Sequence, residues 1–223
     1  VPRTLTIETT THGRVLLEDA DDSPPSRGVI VAFHGYGQSA EDMLDEIGRI
    51  PGASSWTLAS VQALHRFYAR DNQRVIANWM TRQDRELAIA DNIAYVDRAV
   101  AAVTRERRVL EPPGRVVFIG FSQGVAMAYR AALLGSHEPA GIIVLAGDIP
   151  PDVRAGDVVR RAWPPVLLAT GARDTWFTPA KLAEDARFLE SHGVAHETLT
   201  FDGGHEWTDA FRAAAGKWLE DRC

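Results

Sequence analysis

Residues 115–134 read RVVFIGFSQGVAMAYRAALL. Arg115 to Ile119 is rich in β-branched and aromatic side chains and predicts a strand; Gln123 to Leu134 carries small and apolar residues and predicts a helix. The pentapeptide Gly120-Phe121-Ser122-Gln123-Gly124 makes the turn between them. The same order repeats outward. On the N-terminal side, Gly28 to Phe33 (GVIVAF) is a continuous apolar run, the pattern of a strand buried on both faces of a parallel sheet. Ser39 and Asp42 follow at capping-box spacing, with Asp in place of Glu, and open a helix through about Arg49. On the C-terminal side Gly141 to Ala146, Val166 to Thr170 and Glu197 to Phe201 predict strands. Pro179 to Ser191 and Trp207 to Glu220 predict helices. Such alternation argues for an α/β protein with a mostly parallel central sheet and helices on both faces.

The remaining segments are less regular. Leu5 to Thr9 and Val15 to Glu18 read as two strands joined around His12-Gly13, and residues 19–27 as a surface loop. Trp56 to Ala59 predicts a short strand. Residues 60–83, with His65, Phe67, Tyr68, Trp79 and Met80, show no clear period and are too long for a plain connection, so they are expected to form a lid or pocket wall. A long helix is predicted from about Asp84 to Arg108, with Ile89, Ile93, Val96, Val100 and Val103 as its apolar stripe. Arg105, Arg107 and Arg108 suit its C-terminal dipole, and Pro112-Pro113-Gly114 stops it. With no repeat, linker or low-complexity tract, residues 1–223 are expected to form a single domain.

The turn at Ser122 carries the chemistry. A G-x-S-x-G sequence placed directly between strand and helix is the setting of a nucleophile elbow, where the hydroxyl projects above the carboxyl edge of the sheet. The plainer reading is a Gly-rich turn with an N-capping serine. A serine hydroxyl needs a base, and His205 is the best placed of the seven histidines, in Asp202-Gly203-Gly204-His205-Glu206 between the last strand and the last helix. The base in turn needs an acid that holds its tautomer. Asp174, after VLLATGAR, is preferred; Asp148, after GIIVLAG, is the alternative. An oxyanion formed at the attacked carbonyl needs backbone N–H donors. Gln123 is one candidate and Tyr36, in His34-Gly35-Tyr36-Gly37, the other, with Gly37 as alternative. His34 is read as a structural anchor of that loop. Trp79, Met80, Trp176 and Phe177 are candidate walls for an apolar acyl group.

Bulk properties exclude several classes. The 223 residues hold 24 Lys and Arg against 30 Asp and Glu, a net charge of −6, which gives no electrostatic footprint for nucleic acid or anionic membrane. No apolar run is long enough to span a bilayer, so no integral membrane association is expected. Cys223 is the only cysteine, which excludes an intramolecular disulfide and a Cys-based zinc site. No metal cluster and no dinucleotide fingerprint appears, so neither metal nor cofactor is expected. Val1-Pro2-Arg3-Thr4 shows no export leader, and a cytoplasmic location is the default expectation.

HGYGQSAED at 34–42, GFSQG at 120–124, GARDTWFTP at 171–179 and GGHEW at 203–207 together resemble the phospholipase/carboxylesterase family of α/β-hydrolases, which includes acyl-protein thioesterases and bacterial carboxylesterases. The resemblance spans about Gly28 to Trp218. It implies the α/β-hydrolase fold, a Ser122-His205-Asp174 triad, oxyanion donors at Tyr36 and Gln123, and hydrolysis of a small-molecule ester or thioester through an acyl-serine. Val125 stands where the family commonly has a further glycine, Asp148 where a small or apolar residue is more typical, and residues 60–83 match no pattern of the family. A catalytically inactive binding module and an acyltransferase are the competing readings, and the oligomeric state, a homodimer included, stays open.

Overall fold

Alternation of buried side chains along the strands builds two cores, one on each face of a sheet. Val29, Val31 and Phe33 enter one core while Ile30 and Ala32 enter the other. The strand that carries them, β2 (Gly28–Phe33), is buried at every position. The computed structural model describes residues 2–20, 26–70, 73–106, 115–156 and 162–222. Further strands are β1 (Arg14–Glu18), β3 (Thr57–Gln62), β4 (His65–Tyr68), β5 (Val75–Asn78), β6 (Arg115–Phe121), β7 (Gly141–Leu145), β8 (Val166–Gly171) and β9 (His196–Phe201). The helices are α1 (Ala40–Gly48), α2 (Arg85–Glu106), α3 (Gln123–Leu133), α4 (Pro151–Arg154), α5 (Pro179–Ser191) and α6 (Asp209–Arg222).

Among the described residues the main sheet has seven strands in the order β1-β3-β2-β6-β7-β8-β9. Among these described strands β1 runs antiparallel to β3 and the other neighbouring pairs are parallel. Met43 and Ile47 of α1 and Phe211, Trp218 and Leu219 of α6 close one face. Val96, Val100 and Val103 of α2, Met127 of α3 and Leu182 and Leu189 of α5 close the other. The sheet is therefore mostly parallel with helices on both faces, as the sequence pattern predicts. The expected capping box is present: Asp42 N–H donates to Ser39 Oγ at 3.1 Å, and Ser39 N–H donates to Asp42 Oδ2 at 2.8 Å.

Two expectations need correction. Leu5 to Thr9 is not a strand: Leu5 and Ile7 are about 80 and 79% exposed, and β1 pairs with β3 instead of with an upstream partner. The buried stripe of α2 is rotated from the expected one and runs through Ala88, Asn92, Tyr95, Val96, Ala99, Val100 and Val103. Ile89 and Ile93 lie at its edge. Residues 60–83 contain an antiparallel hairpin, β4 with β5, whose short strands defeat a periodicity test. It is fastened to the loop after β2: Gly37 N–H donates to Ala77 O and Ala77 N–H to Gln38 O, both at 2.9 Å. The expected basic cap at Arg107 and Arg108, the Pro112-Pro113-Gly114 stop and Cys223 lie outside the described residues. Among the described residues no helix is long and apolar enough to cross a membrane.

Behind the carboxyl edge, Arg130 of α3 is wholly buried and holds Asp152 of α4 through two bonds, Nε to Oδ2 at 2.8 Å and Nη2 to Oδ1 at 2.7 Å. The guanidinium hydrogen bond keeps the Asp152 carboxyl below its ordinary value of 3.8 against the opposing effect of burial. A depressed carboxyl stabilises the fold fully above that ordinary value and loses its contribution as pH falls through the lowered one. Asp152→Ala would leave a buried cation without its partner. The expected loss is about 3 kcal/mol of unfolding free energy, read from urea denaturation at neutral pH. A loss below about 1 kcal/mol would mean that the pair contributes no more than a surface one.

Candidate active site

Phe121 ends β6 and Gln123 begins α3, so Ser122 alone makes the turn. Its φ of 52° and ψ of −119° lie where an L-residue is strained, and such strain clusters at functional sites. Two glycines permit the turn. A Cβ on Gly120 would sit 2.7 Å from the Gly124 carbonyl oxygen, and one on Gly124 would run into the Phe33 carbonyl at the end of β2. Ser122 occupies the N-cap position of α3, yet its hydroxyl makes no capping bond. The Oγ lies instead 2.8 Å from His205 Nε2. Val125 fits beside the turn because residue 147 is glycine; a Cβ there would lie 2.6 Å from Val125 Cβ.

His205 stands in the loop between β9 and α6, its ring 5.3 Å from that of Phe121. Its Nδ1 donates to Asp174 Oδ2 at 2.8 Å. A carboxylate only accepts, so the proton of the neutral ring is fixed on Nδ1 and Nε2 is left to accept from the Ser122 hydroxyl. Asp174 follows β8, and β8 is the parallel neighbour of β9, with Gly171 opposite Phe201. The two loops are also tied directly, Ala172 N–H to Phe201 O at 2.8 Å and Arg173 N–H to Gly203 O at 2.9 Å. The Asp174 side chain is fully buried. Its Oδ1 accepts from the N–H groups of Trp176 and Phe177 at 2.8 and 3.0 Å, which fixes the carboxylate and compensates its burial. The other acid considered, Asp148, is exposed on the rim of the cleft.

The loop after β2 is built around His34. This side chain is wholly buried, with Nδ1 2.7 Å from Gly35 O and Nε2 accepting from Ala63 N–H at 3.0 Å. Burial pushes its pKa down, in keeping with a neutral ring between one acceptor and one donor. Gly37 N–H is engaged by Ala77 O. Among the described residues no acceptor engages the N–H of Tyr36, which is 63% exposed and packs its ring toward Phe67.

The cleft at Ser122 measures about 430 Å³. Met80, Trp176 and Phe177 line it. Trp79 does not and is a correction: it is 0% exposed, with its ring against Phe33 and His34 and its indole N–H donating to His34 O at 2.8 Å. The Trp79 peptide is also clamped. Its N–H donates to Gln123 Oε1 at 2.9 Å, its carbonyl accepts from Asn92 Nδ2 at 2.7 Å, and Gln123 Nε2 donates to Met80 O at 2.9 Å. The Gln123 side chain thus fixes the wall of the cleft, a role that sequence reading, concerned with its backbone N–H, did not assign. Asn92 could have been found as the polar residue on an otherwise apolar helical stripe. Among the described residues no cluster of three or more His, Cys, Asp or Glu could hold a metal ion.

The family model for phospholipases and carboxylesterases matches residues 20–207. The chain belongs to the phospholipase/carboxylesterase family. Members of this family of carboxylesterases and thioesterases are hydrolases, and the mostly parallel sheet described above is the α/β-hydrolase fold. No curated protein is a sequence match. Solved structures share the fold at low identity. Esterase PE8 is 20% identical with a TM-score of 0.73, covering 96% of this chain and 100% of its own. The Bacillus cereus carboxylesterase is 16% identical with a TM-score of 0.70, covering 95% of each chain. Zea mays acyl-protein thioesterase 2 is 15% identical with a TM-score of 0.69, covering 95% of this chain and 99% of its own.

Proposed function

We propose that this phospholipase/carboxylesterase family member is a serine hydrolase that cleaves carboxylic esters or thioesters through an acyl-Ser122 intermediate. The observation that carries the reading is the pair of contacts that join Ser122 Oγ through His205 to Asp174, 2.8 Å at each, with Ser122 and His205 lining the cleft. His205 Nε2 takes the hydroxyl proton as Oγ attacks the carbonyl carbon, and the imidazolium formed is stabilised by Asp174. The carbonyl oxygen becomes an oxyanion between the N–H groups of Tyr36 and Gln123. The start of α3 beneath it adds a partial positive charge. Collapse breaks the bond to the alcohol or thiol, which leaves with the proton from His205. Water then attacks the acyl-serine with the same base, releasing the carboxylic acid and restoring Ser122. The β4–β5 hairpin acts as a fixed brace: its bonds at Ala77 hold Gly37 and Gln38, and so orient the Tyr36 peptide.

An alkyl fluorophosphonate probe tests this reading. One equivalent is expected to bind covalently, with the modified peptide containing Ser122, in step with loss of p-nitrophenyl ester turnover. An unlabelled protein, or labelling at another serine, would refute it.

A further inference from the structure

The cleft beside Ser122 differs in charge from the rest of the molecule. The chain carries a net −6, yet the cleft is lined by three cations, Arg82, Arg85 and Lys181, against one carboxylate, Asp148. Buried arginines elsewhere close on a carboxylate: Arg130 on Asp152, Arg212 on Glu46. Among the described residues none of the three cleft cations has a carboxylate within ion-pair distance, Asp148 included. Arg85 helps to keep Asp152 ionised from a distance, but that carboxylate already holds Arg130 at 2.7 Å. Lys181 Nζ is anchored at 2.8 Å to the Trp176 carbonyl, beside the residues that hold Asp174, and keeps donors free.

Position adds to charge. Arg82 and Arg85 follow Met80, whose carbonyl is pinned by the Gln123 side chain, so they extend from a fixed wall next to the nucleophile. Lys181 lies on the first turn of α5, in the wall that carries Trp176 and Phe177. Two walls of one small cleft therefore present cations to the same volume. Arginine and lysine facing one cleft attract and hold carboxylate and phosphate groups.

We infer that the preferred substrates are small esters bearing an anionic group, a carboxylate or phosphate, held by Arg82, Arg85 and Lys181 while Ser122 attacks the ester carbonyl. The inference rests on the serine-hydrolase reading above. It adds a charged rim, Arg82, Arg85 and Lys181, to the walls formed by Met80, Trp176 and Phe177.

Two matched pairs of substrates test it and separate the sources of the anion. In the first, mono-p-nitrophenyl glutarate is compared with p-nitrophenyl valerate, which replaces the terminal carboxylate by methyl. In the second, butyryl glycerol phosphate is compared with butyryl glycerol, which places the anion on the leaving group. At least one anionic member is expected to exceed its neutral partner in kcat/KM by roughly ten- to a hundredfold, chiefly through KM, the range of charged hydrogen bonds. The pair that shows the effect identifies the anion. The ratio should shrink in Arg82→Gln, Arg85→Gln and Lys181→Gln, approach one in the triple variant, and fall at about 1 M salt, where the Debye length is about 3 Å. Equal kcat/KM within both pairs would overturn the inference, as would a preference that survives the triple variant. Turnover of the neutral esters together with probe labelling at Ser122 would then leave the serine-hydrolase reading standing. No turnover of any ester and no labelling would remove both.

Discussion

Ser122→Ala is expected to reduce kcat for p-nitrophenyl esters by roughly 10⁴–10⁶-fold while leaving the protein folded. In the proposed mechanism the hydroxyl is made reactive by a single contact, Oγ to His205 Nε2 at 2.8 Å. Without Oγ there is no covalent intermediate. Any remaining rate would come from water activated by His205, helped by the proposed oxyanion donors. The fold should tolerate the change because Ser122 Oγ caps nothing in α3. Its peptide bonds also persist: Ser122 N–H to Leu145 O at 2.9 Å, and Val125 N–H to Ser122 O at 3.0 Å. Alanine accepts the positive φ no better and no worse than serine, so the strain is retained. Unfolding free energy should move by less than about 1 kcal/mol, and fluorophosphonate labelling should vanish. A variant that keeps most of its activity would remove Ser122 from the mechanism.

The elements that position the site are legible in the sequence because local and tertiary demands agree there. GVIVAF must be buried on both faces, and β2 is. G-x-S-x-G needs its two glycines for steric reasons, and the contacts made by Gly120 and Gly124 supply them. Ser39 and Asp42 cap α1 through bonds only three residues apart. What sequence missed depends on partners far along the chain. Gln123 reaches back 44 residues to Trp79 and Asn92 reaches 13, and neither bond leaves a spacing signal. Trp79 reads as a pocket aromatic by proximity to Met80, but its indole turns to His34 O and its ring enters the core. The charge of the cleft was hidden for the same reason. Arg82 and Arg85 meet Lys181 only because α5 and the start of α2 border one opening.

Asp174→Asn is expected to reduce kcat by roughly 10³–10⁴-fold with little change in KM. Asn can keep the acceptor role of Oδ1 toward the N–H groups of Trp176 and Phe177. Its amide nitrogen would then face His205 Nδ1, where a donor meets a donor. The imidazole can relieve the clash only by moving its proton to Nε2, the atom that must accept from Ser122 Oγ. The variant should therefore be folded, carry an inverted tautomer and lack a countercharge for the imidazolium. Asp148→Asn provides the control because that carboxylate is exposed on the rim. Its kcat for neutral esters should stay within about threefold, since a rim group contributes binding and not proton transfer. The sheet order favours this division: β8 and β9 are neighbours and their loops are bonded together, whereas β7, which leads to Asp148, lies one strand further from His205. Steady-state kcat and KM for both variants decide the matter. A large kcat loss in Asp148→Asn beside a near-normal Asp174→Asn would transfer the acid role to Asp148 and leave Ser122 and His205 in place.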